Sequence, residues 1–183
     1  MKLHDDDYEF IKKEVIDLFE RYNICCIPIS GFELAVKMGI ILIPYSSLSK
    51  EKYEAVTITS SDGVYFEPGD GREIIYYNDA IGYERCNMTI LHEIAHSVLG
   101  HYDGMDPQVV EAEAKFFAKY AAAPPPLVHK IKPNCSEDIA SVFMISNQAS
   151  QIAYEYYCKW LKKYEINGRY LAYESKLLMI FDN

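Results

Sequence analysis

The chain has 183 residues, half of them hydrophobic and a quarter charged, with a net charge of -9 and a pI near 5.0. That length supports one domain with its own core, alone or with a helical appendage, and the acidity removes the basic footprint that duplex binding needs. The first residues are acidic with no apolar segment behind them, and runs such as Ile40 to Pro44 are too short to span a bilayer, so a cytoplasmic protein is expected.

In chain order, residues 8–22 carry apolar side chains at helical spacing (Phe10, Ile11, Val15, Leu18, Phe19, Tyr22), which predicts a helix. A short second helix is expected to begin after Ser30 and end near Gly39, where glycine suits the position just past a helix end. Strand-like runs follow at Ile40–Pro44, Ala55–Thr59, Val64–Glu67 and Glu73–Tyr77, punctuated by Ser61-Asp-Gly63 and Pro68-Gly-Asp-Gly71. They predict a small antiparallel sheet of hairpins. From Tyr83 the pattern turns helical: one helix to about Leu99, stopped at Gly100, and a second from Asp106-Pro107 to the alanine–proline tract ending at Pro126. Helices near 136–144 and 147–164 complete the prediction. A small sheet followed by helices is α+β.

The five cysteines (Cys25, Cys26, Cys86, Cys135 and Cys158) form no CxxC pair and read as reduced thiols, neither a disulfide framework nor a thiolate metal site. The chemistry-bearing segment is His92-Glu-Ile-Ala-His96, an HExxH pattern. At 100° per residue the two histidines lie about 40° apart on one helix face, one turn above the other. That spacing lets two imidazoles bind one tetrahedral zinc ion while Glu93 reaches the hydrolytic water. Ile90, Leu91, Ile94 and Val98 fall on the opposite side, about 160° to 260° from His92, a coherent core stripe. Zn2+ is the expected cofactor.

A catalytic zinc site wants a third protein ligand and an open fourth position. Glu113 emerges within about 60° of Val109, Val110, Phe116, Phe117 and Tyr120, so it would be costly to bury unless paired or metal-bound. Glu111 lies about 160° away, beside Lys115 at the favourable i,i+4 offset, and reads as a solvated ion pair. Burial cost therefore selects Glu113, with Glu111, Asp103 and Asp106 as the other candidates. His101 fails the metzincin spacing, which wants the third ligand six residues after the second histidine, and reads as structural or surface. Arg85 shares the face of His92 and reads either as an orienter of an outer-shell acid or as a simple ion pair. The segment Glu73–Tyr77 reads either as a cleft strand that binds substrate by β-augmentation or as an ordinary edge strand. Any tyrosine acting on the oxyanion is left open among 16.

With Arg85-Cys-Asn-Met-Thr-Ile-Leu-His-Glu-Ile-Ala-His96 and Glu111-Ala-Glu-Ala-Lys-Phe-Phe-Ala118 closing at Pro124, the chain resembles the ImmA/IrrE family of metallopeptidases. Lys115 stands where the family usually has asparagine, and the stretch before the proline is alanine-rich instead of leucine-rich. The resemblance spans about residues 8–160 and implies one metallopeptidase domain, with a gluzincin-like core over 1–125 and a helical subdomain over 126–183. It further implies an intracellular endopeptidase of phages or mobile elements, whose protein substrate is a helix-turn-helix repressor. Ser136 to Tyr157 itself has helix-turn-helix spacing, yet Asn147 to Cys158 contains no lysine or arginine, so direct nucleic-acid binding is not expected.

Overall fold

The computed structural model describes residues 3–102 and 104–182. They form an α+β structure that divides into two compact units. The first comprises residue 3 and residues 30–118, the second residues 4–29 and 119–182.

In the first unit, helix α2 (Gly31–Met38) begins at Ser30, whose side chain accepts the Glu33 N–H, and ends at Gly39 in the left-handed conformation. Strands β1 (Ile41–Pro44), β2 (Gly63–Phe66) and β3 (Ile74–Tyr77) make one sheet in the order β1-β3-β2. Here the expectation of an antiparallel hairpin sheet needs correction. β2 and β3 are antiparallel, but β1 runs parallel to β3, with Ile41 opposite Ile74. A parallel pair requires a crossover connection, usually helical. The crossover contains α3 (Lys50–Thr59), so Ala55–Thr59, read as a strand from its β-branched residues, is helical. Ser49 caps α3 by accepting the Lys52 N–H, and the Thr57 hydroxyl donates to the Tyr53 carbonyl. Tertiary connectivity overrides β propensity here. β3 also lies in the middle of the sheet, paired on both sides, so neither sequence reading of it as a free edge holds; the edges of the sheet are β1 and β2.

Helix α4 (Tyr83–Val98) packs against α2, β2 and β3. Its Ile90, Leu91 and Ile94 are fully buried, as the apolar stripe predicts. Buried Asn87 accepts the Gly31 N–H at 2.7 Å, tying α4 to the start of α2. Gly63 sets the approach of β2: a Cβ there would sit 2.5 Å from Thr89 Cγ2 and 3.1 Å from the Tyr76 carbonyl. Gly63→Ala is therefore expected to cost about 1–3 kcal/mol of overpacking. Urea denaturation should show the loss, and Thr89→Ala should restore part of it in the double mutant.

Helix α5 (Pro107–Ala122) contributes its first turns to the first unit and its end to the second. The second unit also contains α1 (Asp5–Arg21), α6 (Pro125–Ile131), α7 (Ser136–Phe143), α8 (Asn147–Asn167) and α9 (Ala172–Asp182). The division differs from the expected 1–125 and 126–183, because α1 packs on α9. Phe19 meets Phe181 edge-on at 6.0 Å, and Lys176 pairs with both Asp17 and Glu20. Sequence periodicity missed α6 and α9. The proline tract reads as a terminator, although proline is also favoured at the first helical positions, where it stands in α6. α7 and α8 pack as a pair joined at Met144, which has a φ of 50°, and Ser146 caps α8. α8 runs on to Asn167, past its predicted end, and carries Lys159, Lys162 and Lys163 after the cation-free segment. Among the described residues no helix is long and apolar enough to cross a membrane, and all five cysteines are free thiols.

Candidate metal site

One turn of α4 brings His92 and His96 together: their Nε2 atoms face each other at 3.3 Å. The Glu111 Oε1 of α5 lies 3.6 Å from His92 Nε2 and 3.8 Å from His96 Nε2. Among the described residues these three side chains form a group able to hold a metal ion, with ligand atoms all within 4.8 Å of one another. Two metal–nitrogen bonds of about 2.0–2.1 Å at the tetrahedral angle separate their nitrogens by about 3.3–3.4 Å. The observed imidazole spacing is that chord, so the donor set fits one ion.

The two glutamates of α5 therefore sit opposite to the assignment made from helical phase. Glu111 is at the histidine pair, whereas Glu113 Oε2 lies 3.0 Å from His101 Nε2. The physical reason is the true burial axis of α5. Its buried residues are Ala114, Phe117, Ala118, Tyr120, Ala121 and Ala122, centred about 90° from Glu113 and about 70° from Glu111. The glutamates flank that stripe on opposite sides. Large apolar residues taken without the alanines place that axis on Glu113. The expectation that a partly buried Glu113 needs a partner was sound, but the partner is an imidazole. The Glu111–Lys115 ion pair is also present at 3.2 Å, through Oε2, which leaves Oε1 for the histidines. Asp106 is engaged elsewhere, accepting the Gln108 N–H at 2.9 Å at the start of α5, and Asp103 lies outside the described residues.

Glu93 is 8 % exposed, and its Oε2 accepts the Tyr65 backbone N–H at 2.8 Å. Burial raises its carboxyl to about 7, with the Tyr65 hydrogen bond opposing and the Glu111 charge adding to the rise. A carboxyl in that range can both take and release a proton near neutral pH. Burial likewise pushes both imidazoles down, His96 to about 4 with help from His92 and His101, which favours the neutral form that binds metal. Burial acts to raise Glu111, but Lys115, His92 and His96 outweigh it and hold the carboxyl below its ordinary value.

Sequence reasoning missed the supports around these groups. Tyr65 is held at its other end by its hydroxyl, which donates to Glu73 at 2.8 Å, and Ser97 donates to the same carboxylate oxygen. His101, whose side chain is 3 % exposed, puts its Nδ1 3.1 Å from His96 Nδ1. Its orientation follows from how α4 ends. Gly100, with a φ of 65°, reverses the chain after Leu99, so that Gly100 N–H donates to Ser97 and His101 N–H to His96 in a Schellman turn. A continued helix would carry His101 away from His92; the turn folds it back. A left-handed glycine immediately before a histidine was the available signal. Arg85 resolves as an ion pair, bonded through Nε and Nη2 to Asp62 with its side chain 62 % exposed. No family model matches the chain, and a search of curated proteins finds no match.

Proposed function

We propose that the chain is a zinc-dependent peptide hydrolase, with His92, His96 and Glu111 holding the metal and Glu93 as general base. The observation that carries this reading is the convergence of two imidazole Nε2 atoms, 3.3 Å apart, and the Glu111 carboxylate beside a buried glutamate one residue along the same helix. Two imidazoles and a carboxylate are a zinc donor set, and a closed structural site has no use for an adjacent base. When bound, zinc supplies Lewis acidity toward a water molecule and the scissile carbonyl.

The chain's own residues do the rest. Glu93 takes a proton from the attacking water and delivers it to the leaving amine nitrogen. The Tyr65 N–H holds one carboxylate oxygen, leaving the other for the proton. Lys115 holds the second oxygen of Glu111, so the first stays directed at the histidines. The substrate class, a protein and specifically a helix-turn-helix repressor inside the cell, rests on the resemblance to the ImmA/IrrE family.

Metal analysis of the purified chain tests the reading at its base. About one zinc per chain is expected, and His92→Ala or His96→Ala should each empty the site. A wild type that neither carries nor takes up zinc, or two histidine variants that retain it in full, would refute the assignment.

A further inference from the structure

Beyond the triad, the His101 and Glu113 side chains form a chain of hydrogen-bonding atoms that ends on the back of His96. Glu113 Oε2 stands 3.0 Å from His101 Nε2, and His101 Nδ1 stands 3.1 Å from His96 Nδ1. His96 Nε2 in turn faces His92 Nε2 at 3.3 Å. Each facing pair needs one proton, and the carboxylate decides where every proton goes. An ionised Glu113 only accepts, so His101 donates from Nε2. A neutral imidazole that is protonated at Nε2 accepts at Nδ1, so His96 must donate from Nδ1. The lone pair of His96 is then on Nε2, directed at His92 and Glu111.

We infer that His101 and Glu113 are positioning residues that lock His96 in the Nδ1-protonated tautomer, so that its Nε2 is ready for a metal before any metal arrives. The role presupposes, for its consequence, the metal site proposed above. It adds an asymmetry between the two histidines. In the metal-free chain the proton between the two Nε2 atoms belongs to His92, so His92 alone must give up an Nε2 proton when the ion binds. The low exposure of His101 and the Schellman turn at Gly100 keep the relay in register with α4. Outer groups of this kind, which fix the tautomer of a ligand imidazole, typically contribute about 10- to 100-fold in metal affinity.

Two measurements on the full-length chain test it. Long-range 15N–1H correlation spectra of the metal-free wild type should show His96 protonated on Nδ1 and His92 on Nε2. Competition titrations with zinc and a chelator should show His101→Phe, which cannot accept a hydrogen bond, weakened by about 10- to 100-fold. Glu113→Ala should fall in the same range, and Glu113→Gln, whose amide oxygen still accepts from His101, should lose less. A proton on Nε2 of His96 in the wild type would overturn the inference, and so would unchanged affinity in both His101→Phe and Glu113→Ala. If the variants fail to fold, the wild-type spectrum decides. A wild type with the expected tautomers that takes up no zinc would instead sink the metal site and leave the relay standing.

Discussion

Glu111→Gln is expected to weaken zinc binding by more than about 100-fold, beyond what loss of an outer-shell group produces, while Glu113→Gln stays at or below the low end of about 10- to 100-fold. The contrast follows from position. Glu111 Oε1 is 3.6 Å from His92 Nε2 and 3.8 Å from His96 Nε2, whereas Glu113 reaches only His101. Neither substitution should threaten the fold. The Glu111 side chain is 46 % exposed, and its bond to Lys115 is a surface pair contributing no more than about 1 kcal/mol. The comparison is made by chelator competition on folded protein, with far-UV circular dichroism as the control. The reverse ranking would restore Glu113 as the ligand and would mean that α5 turns Glu113, not Glu111, toward His92 and His96.

Glu93→Gln is expected to keep zinc and fold yet lose about 10²- to 10⁴-fold in hydrolysis, the usual contribution of a general base. Glutamine is isosteric, and its amide oxygen can still accept the Tyr65 N–H, so the local packing has no reason to change. What it cannot do is take the water's proton. The assay is co-expression of the chain with a helix-turn-helix repressor encoded beside it, reading a discrete cut by mass spectrometry. Cleavage by the wild type and protection with Glu93→Gln would support hydrolysis. Release of intact repressor from DNA, equal for both versions, would point to a zinc-containing binding module that acts without proteolysis. The comparison is made in cells where derepression occurs.

The contrast between these two glutamates and Glu93 shows where sequence reasoning is strong. His92, Glu93 and His96 lie within one helical turn, and their mutual placement depends only on the α-helix repeat. The same holds for the stripe of Ile90, Leu91 and Ile94, for the Ser30 cap and Gly39 stop of α2, and for the proline start of α5. All are local, set by periodicity, capping and backbone preference within a few residues.

What needed the tertiary structure was every relation between elements. Whether Ala55–Thr59 is strand or helix depended on a parallel β1–β3 pairing that β propensity does not contain. Which α5 glutamate faces α4 depended on a burial axis set by alanines, whose small side chains give a weak hydrophobic signal but permit close packing. The fate of His101 depended on a single left-handed residue that turned it back onto its own helix. Helical phase converts an error of a few tens of degrees into a different residue at the site, and only the burial of α5 in the folded chain sets that phase.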